Sequence, residues 1–219
     1  MSAPQPLDFP SNGKIGVTKR RTELRILLYQ YLRFNFAGLA RVGCNQFMYW
    51  DPSDPSAWVA PDGFVCFGAP DERFDSWKVW ERGVPDVAVE IVDPVDVLPP
   101  WVVESEPSWE QKLESYERIG VAELVRFEPD ATERPLRVWD RVGERLVERE
   151  LSKPCARSAS VPGFWLALPD DELGLSLRLS RDEHGARLFP TPVEGIRLKL
   201  DRGEEWVREL RAELQSRSS

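Results

Sequence analysis

The 219-residue sequence has very few of the side chains on which imidazole and thiolate sites depend. It contains one histidine, His184, and three cysteines that lie far apart: Cys44, Cys66 and Cys155. A Ser–His–Asp triad or a His-rich zinc centre is therefore nearly excluded, and no two cysteines have the close spacing of a zinc motif. Widely spaced cysteines fit reduced thiols, so we expect a cytoplasmic protein.

Long apolar runs are also missing. No run approaches the roughly 18 residues that span a bilayer, and residues 1–12 lack the basic and apolar segments of a signal peptide. A hydrophobic content of 42% with 30% charged residues is ordinary for a soluble globular protein. We predict a flexible N-terminal arm over residues 1–17, a main domain over 18–190 and a C-terminal helix over 191–219.

The charge is negative overall but unevenly distributed. A net charge of −8 argues against a protein that coats nucleic acid. Residues 1–50 nevertheless hold seven Lys or Arg against two acids, a local net charge of +5. The basic residues of this segment could bind phosphate groups, or they could form the solvent-exposed face of a helix. Composition leaves both interpretations open.

Hydrophobic spacing predicts an α/β protein. Apolar residues recur at helical spacing from about Thr18 to Leu32, and residues 41–50 alternate as one strand. A buried strand within residues 84–93, a helix that begins at a capping box at Ser108, and a strand over 121–127 predict a parallel strand pair. A β-rich second half follows. The heptad-spaced tail, residues 193–214, could be a short coiled coil or a docked helix.

Glu90 is the most informative residue because it interrupts a strand of valine, alanine and isoleucine. A buried carboxylate is costly unless it is paired, hydrogen-bonded or bound to a metal. Lys112 is a candidate partner, since it flanks the apolar stripe of the capped helix. A divalent cation is the other candidate.

Strand geometry ranks the acids that could share a cation with Glu90. Asp86 lies on the same face but about 13 Å along the strand, whereas a residue on a neighbouring strand is about 4.8 Å away. Asp62, which enters the preceding short strand, could occupy that position. Two carboxylates with room for water suit Mg²⁺, and Lys112 could orient the attacking water or stabilise charge on a phosphate. Together they predict metal-assisted hydrolysis of a phosphodiester.

Several stretches carry a family resemblance. They are Val59-Ala60-Pro61-Asp62, Trp80 to Ile91, Lys112-Leu113-Glu114-Ser115-Tyr116, and Gly120-Val121-Ala122-Glu123. This pattern resembles the Uma2 family, a bacterial group of endonucleases with the restriction-endonuclease-like PD-(D/E)XK fold. The resemblance covers roughly residues 18–170. It implies a mixed β-sheet flanked by helices and a Mg²⁺-dependent DNA endonuclease, with Mn²⁺ able to substitute.

The resemblance also implies roles for individual residues. Asp62 and Glu90 match the metal-binding acids, and Lys112 stands where the family's catalytic lysine is thought to have moved. Asp93 replaces a usual serine, so it could be a further ligand or could disturb the site. Asp86, and Glu23 on the first helix, are weaker candidates.

Other functions remain open at this stage. The chain could be a catalytically silent nuclease fold that binds nucleic acid, or a protein partner through residues 193–214. It could also be a sugar hydrolase with paired carboxylates, which would require an open cleft at Asp62 and Glu90 without a lysine between them. A homodimer is possible, since the heptad-spaced apolar residues of the C-terminal helix could pack against the same helix of a second copy.

Overall fold

The computed structural model describes residues 18–69, 72, 74–92 and 107–217, with side chains described as far as residue 209. The first helix, α1, spans Lys19–Phe36, and its N-cap Thr18 accepts a hydrogen bond from the Arg21 backbone N–H. Its buried residues fall at helical spacing, so one face of α1 packs on the protein: Arg21, Leu24, Leu28, Tyr31, Leu32 and Phe36.

A six-stranded mixed sheet forms the centre, in the order β1-β4-β6-β7-β8-β9. Its strands are β1 (Ala40–Gly43), β4 (Gly63–Phe67), β6 (Val87–Ile91), β7 (Glu123–Phe127), β8 (Leu136–Val142) and β9 (Arg145–Glu148). The strands β6 and β7 are parallel, and every other neighbouring pair is antiparallel. The predicted parallel pair and the predicted α/β class are confirmed.

Within the described residues, the fold also contains two small sheets and three further helices. The first sheet contains β2 (Met48–Tyr49), β3 (Trp58–Val59) and β5 (Trp77–Lys78), and the second contains β10 (Cys155–Arg157), β11 (Phe164–Asp170) and β12 (Gly174–Ser180). The helices are α2 (Val79–Arg82), α3 (Trp109–Ile119) and α4 (Pro192–Arg217). The β-rich second half and the C-terminal helix are as predicted.

One predicted strand is wrong. Residues 41–50 do not form a single strand, because the chain turns between β1 and β2 and the two strands enter different sheets. Asn45 lies in this turn with a φ of 59°, in the left-handed region that asparagine tolerates better than most residues. Apolar alternation alone does not reveal such a break.

Two hydrophobic cores lie on opposite faces of the central sheet. In β6, Val87, Val89 and Ile91 face the core that α1 and the β10–β12 sheet cover. Ala88, between them, faces the core that contains α3 and the small β2–β3–β5 sheet. Glu90 is two residues after Ala88, and alternate residues of a strand face the same side of the sheet. The Glu90 side chain therefore lies on the α3 side.

The capping box at the start of α3 is present. The Ser108 hydroxyl accepts from the Gln111 N–H at 3.3 Å, and the Gln111 side chain accepts from the Ser108 N–H at 2.8 Å. Gly120 ends the helix in the left-handed conformation, with a φ of 95°. Local sequence signals therefore fix both ends of α3.

The long helix α4 projects away from the domain after its first turn. Gly195 packs against the Phe34 ring, where a Cβ would approach to 2.8 Å, and Glu194 pairs with Arg178 of β12. Residues 196–209 are all exposed. Among the described residues, no helix is long and apolar enough to cross a membrane.

A buried carboxylate joins the central sheet to the β10–β12 sheet. Glu123, in β7, accepts hydrogen bonds from the Ser158 hydroxyl and from the Ala159 and Ser160 backbone N–H groups. Its other oxygen accepts from the Trp165 indole at 2.7 Å. Four donors thus offset the cost of burying this acid.

We expect Glu123→Ala to lower the free energy of unfolding by at least about 3 kcal/mol, because it leaves several buried donors without an acceptor. Urea unfolding measures this, with Glu144→Ala in the exposed β8–β9 turn as the matched control. A change below about 1 kcal/mol would show that the two sheets do not depend on this carboxylate.

Candidate functional site

Three side chains that are remote in sequence converge at the end of the central sheet. Gly63 of β4 pairs with Val89 of β6, so Asp62, one residue before β4, lies beside Glu90. The crossover helix α3 returns over the same face and brings the Lys112 ammonium to 3.1 Å from Glu90 Oε2. The sheet register and the helix therefore assemble the trio that strand geometry predicted.

Asp62 is 1% exposed, and both of its carboxylate oxygens accept hydrogen bonds from protein groups. Its Oδ2 accepts from Arg21 Nη2 at 3.0 Å and from the Ile91 backbone N–H at 2.7 Å. Its Oδ1 accepts from Arg25 Nε at 2.6 Å and also contacts Nη2 of the same guanidinium. A carboxylate has about four lone-pair positions. All four positions of Asp62 are therefore in use.

Glu90 is equally buried but less fully occupied. Its Oε2 is paired with Lys112, and its Oε1 accepts a hydrogen bond from the Tyr116 hydroxyl at 2.5 Å. Burial, and secondarily the charge of Glu90, raise the pKa of Tyr116 well above its usual value. Tyr116 therefore stays protonated and remains a donor to Glu90.

The cluster already carries its own cations. Among the described residues, the guanidiniums of Arg21 and Arg25 pair with Asp62, and the Lys112 ammonium pairs with Glu90. Within the described residues, no group of three or more His, Cys, Asp or Glu side chains could hold a metal ion. Since Asp62 has no oxygen position left, Mg²⁺ does not fit the site while both arginines hold that carboxylate.

The remaining predicted ligands lie elsewhere. The Asp86 carboxylate accepts from the Phe67 backbone N–H at 2.7 Å, so it caps the end of β4 rather than joining Glu90. Glu23 is half exposed and pairs with Lys19 along α1. Its place in a metal site is a wrong prediction, because the face of α1 that meets the sheet is the opposite one. Asp93 lies outside the described residues.

The paired-carboxylate sugar hydrolase is not supported by the arrangement. Asp62 and Glu90 are each 1% exposed, so they do not face an open cleft. Lys112 also contacts Glu90 directly, which is the feature that this alternative excluded. The reason is the helical crossover, because α3 covers this face of the sheet.

Two arginines and a tyrosine at the site were not among the predicted site residues. Arg21 and Arg25 lie at the same helical spacing as Leu24 and Leu28, so the apolar stripe of α1 could have placed them on its inner face. Tyr116 is one turn from Lys112 on α3, and its position in the stripe predicted only packing. The presence of an acidic partner could not be read from either helix.

The chain is similar to solved structures. The chain resembles a crystal structure from Anabaena variabilis described as that of "a putative nuclease belonging to DUF820", with 12% sequence identity and a TM-score of 0.42. The alignment covers 74% of this chain and 77% of that one. DUF820 is the Uma2 group that the sequence motifs resemble. No family model and no curated protein matches the sequence.

Because Tyr116 keeps its proton when folded, the unfolded chain releases a proton that the folded chain retains above about pH 10. The free energy of unfolding should therefore fall as pH rises past 10, and Tyr116→Phe should make that fall shallower. Urea unfolding at pH 8 and pH 10.5 measures the slope. Buried Tyr31 has a raised pKa as well, so part of the slope remains.

The matched control is Tyr29→Phe, which removes the hydroxyl of a half-buried tyrosine of α1. Identical pH slopes for the wild type and Tyr116→Phe would contradict the assignment of a retained proton to Tyr116.

Proposed function

We propose that this protein is an endonuclease that hydrolyses phosphodiester bonds in nucleic acid, with DNA as the favoured substrate. The observation that supports it is the convergence of Asp62, Glu90 and Lys112 around one point. Each residue comes from a different element, and the two acids adjoin although burial makes that arrangement costly. A purely structural sheet would be more stable with apolar residues at these positions.

The charges suit a phosphate better than they suit a neutral substrate. The Lys112 ammonium can stabilise negative charge that grows on a phosphate oxygen, and guanidinium groups bind phosphates through paired N–H donors. Glu90, held by Lys112 and Tyr116, retains two lone-pair positions and can accept a proton or orient a water. These are the roles that we propose for the residues of the site. Mg²⁺, or Mn²⁺ in its place, is the proposed cofactor, which Asp62 and Glu90 would hold if the two arginines did not occupy Asp62.

A second candidate function is supported by the saturation of Asp62. If the two arginines never leave, the fold is a catalytically silent scaffold that binds nucleic acid or protein. The two candidates differ in one measurable property, which is cleavage.

Nicking of supercoiled plasmid in the presence of Mn²⁺ tests the endonuclease. We expect the wild type to nick, and Asp62→Asn, Glu90→Gln and Lys112→Met each to lose at least about 100-fold in rate. Asp62→Asn removes a proposed cation ligand, Glu90→Gln removes the group proposed to orient the water, and Lys112→Met removes the ammonium proposed to stabilise the phosphate. Matched controls are Glu114→Gln and Lys78→Met, which alter exposed ion pairs away from the site. Equal nicking by the wild type and the three site variants would favour the silent scaffold.

We also propose that α4 pairs with α4 of a second copy. Its heptad positions Val193, Ile196, Leu200 and Val207 are 40% to 62% exposed, which leaves an apolar seam uncovered. In a parallel pair, Lys199 of one copy would face Glu204 of the other, at the flanking positions where opposite charges favour association. This charge pattern selects a second copy as the partner.

Light scattering coupled to size-exclusion chromatography tests the pairing. We expect the wild type to have twice the 25.1 kDa chain mass and Leu200→Asp to be monomeric, because a charge would enter the seam. Leu198→Asp is the control, since Leu198 is exposed on the same helix but outside the seam. A monomeric wild type at tens of micromolar would contradict the pairing.

A further inference from the structure

A row of charged side chains leads from the candidate site across the α3 face of the central sheet. In the strand register, Glu90 of β6 pairs with Arg126 of β7, and Arg126 pairs with Arg137 of β8. Paired residues of neighbouring strands point to the same face of the sheet and lie about 4.8 Å apart. The two arginines therefore continue the line of the site on the side of Glu90 that faces away from Asp62.

Two tryptophans hold these guanidiniums in place. The Arg126 guanidinium lies over the Trp109 ring, 4.4 Å from its centroid, and that of Arg137 lies over Trp139 at 4.9 Å. The two indoles contact each other, with their centroids 5.0 Å apart. A guanidinium that stacks through its face keeps its in-plane N–H donors for an acceptor at its edge. Stacking therefore orients both arginines before any ligand binds, which reduces the conformational entropy lost on binding.

The cations of this row become more exposed with distance from Glu90. The side chains of Lys112, which contacts Glu90, and of Arg126 are each 15% exposed. Arg137 is 25% exposed, and Arg134, in the loop between β7 and β8, is 57% exposed. Among the described residues, the row thus leads from the buried site to solvent.

One carboxylate, that of Glu148, bridges the outer two arginines. Arg137 donates to it through Nε at 3.0 Å and through Nη2 at 2.6 Å, and Arg134 pairs with it as well. These contacts of Arg137 leave its Nη1 donors to a further acceptor. Partly exposed ion pairs contribute little to stability, so a phosphate oxygen can take the place of Glu148 at small cost.

Arg126 has a looser ion pair. Its Nε lies 2.9 Å from Glu128 Oε1 but makes no hydrogen bond within the described residues. Glu110, at the start of α3, also lies near this guanidinium. Arg126 is therefore held by stacking and by charge attraction, and not by a bidentate hydrogen-bonded pair.

We propose that Arg126, Arg137 and Arg134 form a phosphate track, which binds the nucleic-acid strand next to the phosphate that is cleaved. Phosphate oxygens replace Glu148 on the outer two arginines, while Trp139 keeps the Arg137 guanidinium in its orientation. This inference rests on the proposed endonuclease function for the nature of its ligand. It adds the path of the strand, which runs between the β7–β8 loop and Lys112.

A strand fits the phosphate track better than a single small anion does. Cations that continue across two strands of the sheet and into a loop match a ligand whose negative charges repeat. Guanidiniums bind phosphate oxygens through paired N–H donors, and basic surfaces that carry aromatic side chains are typical of proteins that follow a nucleic-acid backbone.

Binding of a labelled DNA duplex in EDTA, followed by fluorescence anisotropy, tests the phosphate track without cleavage. At about 50 mM salt, we expect Arg134→Gln to weaken binding at least about fivefold and to reduce the slope of log K against log salt by about 0.9, because one phosphate contact is lost. Arg118→Gln is the matched control, since Arg118 is similarly exposed and also pairs with a glutamate. It should keep the slope of the wild type.

A gain of affinity separates the phosphate track from purely structural ion pairs. Glu148→Gln releases Arg134 and Arg137 and should tighten binding at least about threefold, whereas the loss of a structural pair would lower only stability. Glu144→Gln makes the same change in the exposed β8–β9 turn and controls for the loss of one negative charge. It should leave the affinity within about twofold of the wild type.

Three outcomes would overturn the phosphate track. They are a wild type without measurable affinity for the duplex, a folded Arg134→Gln with the affinity and salt slope of the wild type, and a folded Glu148→Gln that binds no more tightly than Glu144→Gln. Thermal melting establishes the folded state. If Glu148→Gln does not fold at the assay temperature, Arg137→Gln takes its place, and a wild-type salt slope in that variant would overturn the track.

Plasmid nicking separates this inference from the proposed endonuclease. If the plasmid is not nicked but the binding results hold, the endonuclease is rejected and the phosphate track stands. If the plasmid is nicked but Arg134→Gln binds DNA as the wild type does, the track is rejected and the endonuclease stands. In an active enzyme, Arg134→Gln should raise KM and leave kcat unchanged, because its contact lies away from the reacting phosphate.

Discussion

The site depends on the ion pairs between Asp62 and the two arginines of α1. Two carboxylates buried side by side repel each other and lose their hydration, an arrangement that costs several kcal/mol for each ion unless cations compensate. Arg21 and Arg25 compensate Asp62, and Lys112 compensates Glu90. The same contacts join α1 to the sheet, so the stability of this end of the fold and the chemistry of the site are not separable.

The fold brings these groups together through ordinary connections. The parallel pair β6–β7 is connected through a helix that packs over the sheet face, and α3 is that helix, so Lys112 lies above Glu90. Antiparallel pairing of β4 with β6 sets Asp62 beside Glu90 at the level where β6 ends. No special loop is required within the described residues. The packing of two helices on opposite faces supplies cations to the two acids.

Sequence reasoning worked where the signal was local. The capping box, the terminating Gly120 and the alternation of β6 each depend on residues within one turn or one strand, and the trio Asp62, Glu90 and Lys112 followed from strand register and helix face. It failed for Glu23, because the rotation of α1 about its axis is set by packing against the sheet. The arginines were missed for a related reason, since a basic helix face has the same composition whether water or a carboxylate lies opposite.

The sequence by itself determined the α/β class, the parallel β6–β7 pair and the identity of the three converging residues, because period, capping and spacing act over short distances. Only the tertiary structure decided which groups the buried acids bind. Four lone-pair positions on Asp62 are filled by groups from α1 and from β6, and such satisfaction depends on distances between segments that are far apart in sequence. Whether a buried acid offers an oxygen to a cation is therefore decided by neighbours in space, which no local pattern records.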